Sequence, residues 1–311
     1  MVNGIINIYK EKGYTSFDVV ARLRGIFHQK KIGHTGTLDP DAEGVLPVCL
    51  GRATKVCDLL TDKDKVYETV LLLGRETDTQ DVSGQTLAEA SVTCSEQEVR
   101  RTILSFVGEQ EQIPPMYSAL KVNGQKLCDL ARQGITVERK SRPVTIYSIE
   151  ILEICLPEVR MRVHCSKGTY IRTLCHDIGR RLGCYGCMKS LLRTRVSVFS
   201  LEEALKISEL SQILEENKNI NPNEIEVDDK KMILSVDCLF PELPCVSARE
   251  EAYPLLANGN KLPLAMIGGL KEEYVSQQLR LYDAKGEFVG IYQTVPEAGE
   301  LKPVKIFWEH L

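Results

Sequence analysis

The sequence predicts an α/β (α+β) fold in two units, a larger one over residues 1–240 and a small one over 244–311. Three observations point there. Period-two strands alternate with capped helical stretches through the first two thirds of the chain. A long strand pair sits in the middle, at Val144–Leu156 and Val159–Cys165. A polar loop near 215–231, rich in Asn, Asp and Glu, is followed by a shift in composition.

Taken in order, Gly4–Tyr9 reads as a strand, Lys10–Gly13 as a turn, and Ser16 as the N-cap of a helix running to His28 with Val19, Leu23, Ile26 and Phe27 on one face. Ala53–Thr61 reads as a short helix. Lys65–Gly74 reads as a strand with Tyr67, Thr69, Leu71 and Leu73 pointing one way. Ser95 and Glu98 form a capping box for a helix with Val99, Ile103 and Phe106 inward, closed at Gly108. Ile113–Lys121 is too proline-rich for a helix, and Gln125–Gln133 reads as a short one ended by Gly134. In Val159–Cys165, Arg160, Arg162 and His164 alternate with apolar residues, a basic face that tracks phosphates or is simply solvated. Thr169–Arg172 opens a helix with Leu174, Ile178 and Leu182 inward, Leu191–Val196 reads as a strand, and Ser200–Glu203 as a second capping box. In the small unit, a helix is expected near Arg249–Ala257, and strands at Leu279–Tyr282 and Phe288–Gln293 flank the turn Asp283–Gly286.

Residues 33–44, Gly-His-Thr-Gly-Thr-Leu-Asp-Pro-Asp-Ala-Glu-Gly, hold three glycines and a proline, which forbids a regular element. The stretch is a shaped loop feeding the apolar run Val45–Leu50. Pro40 biases Asp39 toward an extended backbone, and Leu38 with the following run sets its carboxylate at the edge of an apolar core. A carboxylate so placed serves as a nucleophile or a base, or caps a backbone N–H.

The chain has no apolar stretch of eighteen residues and no secretory signal at Met1–Gly4, so a cytoplasmic protein without membrane contact is expected. Eleven scattered cysteines suit reduced thiols. Only Cys184 and Cys187 have metal-like spacing, and without a second pair no metal site is expected. Net charge is −4, but it is uneven: residues 119–195 carry fifteen basic and six acidic side chains, and 201–311 eleven and twenty. A local basic face, rather than pI, is the footprint of polyanion binding.

The string Gly33–Pro47 resembles the catalytic-aspartate motif of bacterial tRNA pseudouridine synthases of the TruB type, which act on the T-loop uridine at tRNA position 55. The resemblance continues, in the family's order over roughly residues 4–200, through Lys65–Tyr67, Leu73–Asp81, Pro114–Lys121, Ala131–Gly134 and Lys167–Leu174. It implies a mixed-sheet pseudouridine synthase domain followed by a PUA-like RNA-binding one. Carried over by position, Asp39 resembles the catalytic aspartate and Tyr67 the tyrosine that stacks on the target uracil. Tyr170 resembles a second active-site tyrosine, and Arg172 the arginine that pairs with the carboxylate. Leu191, or its neighbour Leu192, resembles the residue that closes the pocket, His34 the one that fills space left in the T-loop, and Lys10 a basic residue near the site.

Pseudouridylation cuts the N1–C1′ bond, turns the uracil and rejoins it through C5, so atoms are conserved and no cofactor is required. Asp39 would attack C1′, attack C6, or remove a ribose proton. The resemblance implies a monomer acting on the T-arm of tRNA without guide RNA or an obligate protein partner. Three rivals remain: the catalytic subunit of guide-RNA particles, a non-catalytic RNA-binding module, and a glycosidic hydrolase with Asp41 or Glu43 as its second acid.

Overall fold

In the computed structural model, residues 1–307 are described, Val275 excepted; the last four residues of the small unit read from the sequence lie outside the described residues. The first two thirds of the chain build one ten-stranded sheet. Its strands and principal helices are β1 (Gly4–Lys10), α1 (Ser16–Ile26), β2 (Ile32–His34), β3 (Glu43–Leu50), β4 (Lys65–Leu73), α2 (Glu96–Leu104), β5 (Gly108–Gln112), β6 (Arg142–Cys155), β7 (Glu158–Cys165), α3 (Ile171–Arg181), β8 (Gly186–Val196), α4 (Ile207–Glu216) and β9 (Ile233–Leu234). The order is β9-β1-β3-β8-β4-β7-β6-β5, with β2 on β3 and Phe199–Ser200 on β8. The sheet is mixed because β3 and β8 run parallel, Leu192 opposite Glu43 and Arg193 opposite Gly44; its other described pairings are antiparallel.

That junction requires a glycine. Gly44 has φ +106°, and a Cβ there would collide with the Arg193 carbonyl.

The helices pack on one face. Val19, Val20 and Leu23 of α1 and Leu210 of α4 meet Ile6, Ile8, Leu46 and Val48, while Val99 and Ile103 of α2 with Leu174 and Ile178 of α3 meet Leu71, Met161 and Val163. Tyr67 and Arg193 are directly opposed across β4 and β8, so both look toward the helices. On the other face, Ile5, Val45 and Cys49 meet Val196, Phe199, Ile291 and Phe307. The last two come from the C-terminal part, a second sheet of six strands between Cys245 and Ile306 with its own core of Val246, Leu279, Leu281, Val289 and Tyr292. Its strands Gln278–Tyr282 and Phe288–Val295 pair antiparallel, matching the two strands read from the sequence.

Several local expectations change. The N-cap of α1 is Thr15, whose capping box is closed by Asp18, and the helix ends at Ile26 with Phe27 as C-cap. Ser16 is buried because its hydroxyl has a tertiary partner, described below. Ser200–Glu203 opens no helix: Ser200 pairs with Arg195 at the sheet edge, and α4 starts only at Ile207, where the side chain of Glu209 accepts from the Lys206 N–H. The stretch at 215–231 is not a bare linker, since it holds the end of α4, a buried Ile225 and the hairpin Glu226–Val227 with Lys230–Lys231. Cys184 and Cys187 stay free thiols; Cys187 lies in β8 and Cys184 hydrogen-bonds with Cys94.

The basic face of β7 is also accounted for. Arg160 and Arg162 both reach Glu68 at 2.8 Å, Arg162 reaches Glu150 at 2.7 Å, and Arg195 and His164 share Asp64 at 2.9 and 2.6 Å. Strand alternation puts this lattice on the face away from the helices, where carboxylates already satisfy it. It is not an open phosphate track.

Asp177 on α3 has its carboxyl pushed up to about 6 by burial, which Arg180 and Arg181 only partly oppose. The folded value lies above the unfolded one, near 3.9, so the penalty is absent below about pH 4, grows through pH 6 and is full above it. Asp177→Asn should therefore raise stability by about 1–2 kcal/mol at pH 7.5, discounted for partial exposure, and by close to nothing at pH 4. Urea midpoints at the two pH values check this; an equal gain at both would refute it.

Candidate active site

The loop between β2 and β3 is tied down at nearly every residue. Thr35 donates from its N–H and hydroxyl to the Pro47 carbonyl, and the Leu38 N–H donates to Ser16 Oγ at 2.9 Å. The Pro40 carbonyl accepts from the Gly13 N–H at 2.9 Å and from Lys10 Nζ at 3.1 Å. Beneath the loop, Arg193 is wholly buried; its Nη2 donates to the Gly36 carbonyl at 3.2 Å, its Nε to the Val45 carbonyl at 2.7 Å, and the guanidinium hydrogen-bonds the Tyr67 hydroxyl. Gly36, at φ +138°, makes the turn that brings its carbonyl to Arg193.

This scaffold presents Asp39 to a cleft of about 910 Å³. The carboxylate keeps 37% of its side-chain exposure, whereas Arg172 facing it keeps 6%. The pair is forked: Arg172 Nε lies 2.9 Å from Asp39 Oδ2, and Nη2 lies 3.1 Å from Oδ1. The remaining donors reach the Tyr117 carbonyl at 2.8 Å and the Thr79 carbonyl at 3.1 Å. Asp81 approaches Arg172 Nε to 3.9 Å from the other side. Burial raises the Asp39 pKa, Arg172 opposes this, and the Asp81 charge adds to it.

Relatives of the chain carry one name. A Lachnoclostridium phytofermentans protein is 52% identical over 98% of this chain and 100% of its own length, and an Alkaliphilus oremlandii protein is 46% identical over 98% and 97%; both are named tRNA pseudouridine synthase B. Residues 24–171 match the model for the N-terminal domain of TruB family pseudouridylate synthases, and 172–240 that for the tRNA pseudouridylate synthase B C-terminal domain. The chain belongs to the TruB family of pseudouridylate synthases. Its fold is shared with a chain of a Cbf5-Nop10-Gar1 complex, with TM-score 0.70 and 28% identity over 98% of this chain and 85% of that one. A chain of an H/ACA RNP bound to a substrate RNA containing 2′-deoxyuridine matches with TM-score 0.69 at 27% identity, over 98% of this chain and 85% of that one. The C-terminal six-stranded sheet fits the PUA-like unit expected beside a TruB catalytic sheet.

Of the residues singled out in the TruB motifs, His34, Asp39, Arg172 and Leu191 line the cleft, and Leu191 rather than Leu192 borders it. His34 accepts the Gly36 N–H at Nδ1, 3.4 Å away, which takes the neutral ring, and burial lowers its pKa. Tyr67, Tyr170 and Lys10 stand behind the lining. The Tyr67 hydroxyl is pushed up to about 12 by burial. Tyr170 caps the start of α3, its N–H donating to Gln112 Oε1 at 3.0 Å. Lys10 is fully buried under the loop, and desolvation lowers it to about 8.

Two members of the constellation were not singled out from the sequence, Asp81, which closes the Leu73–Asp81 block without an assigned role, and Arg193. Asp81 had a signal, the polar string Thr77–Asp81 directly after a strand. Arg193 had one too, an arginine two residues after the inward Leu191 and so on the same face of the strand. Asp41 and Glu43 also line the cleft, but Asp81 is the second carboxylate held toward Arg172.

Ser16→Ala would leave the buried Leu38 N–H without its acceptor. A loss of about 1–3 kcal/mol is expected, with hydrogen-exchange protection lost first at 35–42. A variant as stable as the parent, with unchanged exchange in the loop, would show that the contact does not hold the loop.

Proposed function

We propose that the chain converts the uridine at position 55, in the T-loop of tRNA, to pseudouridine, with Asp39 as the catalytic group acting on a base turned out of its stack. The observation that carries this reading is the forked Arg172–Asp39 pair on the floor of the cleft, in a chain of the TruB family whose relatives are named for tRNA pseudouridine synthesis. In the reaction the N1–C1′ bond breaks, C5 joins C1′, the proton on C5 leaves and N1 gains one. Redox and atom balance close within the substrate, so no cofactor enters.

Attack at C1′, attack at C6 and removal of a ribose proton all need Asp39 ionised. Arg172 favours that form and fixes its direction, since a forked guanidinium leaves the carboxylate little freedom to rotate. Turning a base out costs a few kcal/mol, and a closed, apolar edge at Leu191 keeps the detached uracil from water and from escape. Tyr67 and Tyr170 supply the aromatic walls behind, Tyr67 stacking on the uracil once the base enters. His34 fills the gap in the RNA loop, and Lys10 supports the Asp39–Pro40 backbone from below.

Lys12 and Lys126 line the cleft without a carboxylate partner among the described residues; Arg22 and Arg24 stand on α1, Lys30 and Lys31 follow it, and Lys121 and Arg142 lie at either end of the segment that carries Lys126. They form the phosphate contacts of the T-arm, and the unit at 244–311 adds an RNA-binding surface to the catalytic unit at 1–240. The protein acts as a cytoplasmic monomer on bare tRNA, without guide RNA or a second protein.

Pseudouridine mapping on an unmodified transcript tests the whole reading. Conversion confined to the T-loop uridine, absent with Asp39→Asn although that variant folds and binds, is the expected result. Release of free uracil would favour a hydrolase instead. Binding should weaken at least tenfold between 50 and 200 mM salt, and a flat response would count against the phosphate contacts.

The pH profile gives a further check. Because the Asp39 carboxyl is raised, kcat/KM should fall on acidification with a midpoint above the ordinary carboxylate value near 3.9. Arg172→Met removes the opposing cation, so the midpoint should move up by about one unit while kcat drops at least 100-fold. An unshifted acid limb would mean that another group sets it.

A further inference from the structure

We propose that Phe17 is a stacking platform for a nucleobase beside the reacting uridine, an inference that rests on the cleft taking RNA. Phe17 is the second residue of α1, and its neighbours Val19, Val20 and Leu23 are buried in the helix core. Its own ring is 62% exposed yet borders the same cleft as Asp39. Its position relative to the carboxylate is fixed, because the preceding residue, Ser16, holds the Leu38 N–H next to Asp39.

The surroundings select the occupant. The Arg24 guanidinium lies over the ring, 5.7 Å from its centroid, with its Nε lacking an acceptor and no carboxylate within ion-pair distance among the described residues. Lys12 lines the adjoining cleft wall. An apolar protein partner would leave these cations buried and unpaired, whereas a nucleotide satisfies both parts, its base on the phenyl and its phosphate on the guanidinium or ammonium. When one base leaves the stack, its neighbours lose a stacking partner. A sequence-tolerant aromatic face at the cleft mouth replaces it.

The test compares Phe17→Ala, Phe17→Leu and Phe17→Tyr in the full chain on a tRNA transcript, with 2-aminopurine beside the target uridine as a second probe. Phe17→Ala and Phe17→Leu should each raise KM about tenfold or more with kcat within threefold, and should lose the quenching of 2-aminopurine that the parent produces on binding. Phe17→Tyr should stay within twofold on both. Thermal midpoints should match the parent's, because the ring is exposed. An unchanged KM in Phe17→Ala, or recovery by Leu as complete as by Tyr, would overturn the stacking role while the parent's activity stands. A parent that converts no uridine in tRNA would instead remove the reading beneath the inference, and the inference with it.

Discussion

One buried guanidinium determines the geometry of this site. Arg172 connects three segments far apart in the chain, since its donors end on Asp39, the Thr79 carbonyl and the Tyr117 carbonyl, with Asp81 close by. A guanidinium removed from water is costly unless its donors are satisfied. The fork on Asp39 therefore fixes more than one side chain: the turn at Thr79, the proline-rich segment at Tyr117 and the loop at Asp39 must all be in place for Arg172 to be buried at all. A lysine would offer a point charge without the planar fork, and the three segments would lose their common register.

A second layer of buried cations lies under the loop. Lys10 donates to the carbonyls of Glu11 and Pro40, Lys65 to those of Thr61 and Lys63, and Arg193 to those of Gly36 and Val45. None of these contacts is to a carboxylate. Backbone carbonyls satisfy the donors without cancelling the charge, and desolvation lowers both lysines only to about 8, so they remain charged at neutral pH. The carboxylates of Asp39, Asp41, Glu43 and Asp81 occupy the cleft above. Separating charge in this way lets a negatively charged group persist where burial would otherwise favour its protonation.

The strands and the helix cores were legible because each carries its own period: Tyr67, Thr69, Leu71 and Leu73 alternate, and all four face the core. Caps were less so. Thr15 and Ser16 are adjacent hydroxyl residues, and nothing local says that the second is recruited by Leu38, twenty-two residues away. The same limit hid Arg193, whose partners are the Gly36 carbonyl of the loop, the Val45 carbonyl of β3 and the Tyr67 hydroxyl of β4. The Asp39 loop was legible as a unit because glycine and proline constrain it locally, whereas Asp81 enters the site only through the tertiary position of Arg172. For the basic face of β7, the alternation was readable but not its partners, since Glu68 and Glu150 come from neighbouring strands.

That last difference bears on how an acidic chain meets a polyanion. Net charge of −4 and a basic middle segment are both poor guides, because what a phosphate senses is charge left over after internal pairing. Arg160, Arg162, Arg180, Lys189 and Arg195 are all matched by carboxylates. Lys12 and Lys126, which have no carboxylate within ion-pair distance among the described residues, line the cleft itself. Pairing thus weakens the attraction of the β7 face relative to the face on which Asp39 stands. On the proposed reading the same arrangement orients an incoming RNA, since the opposite face offers it a neutral lattice.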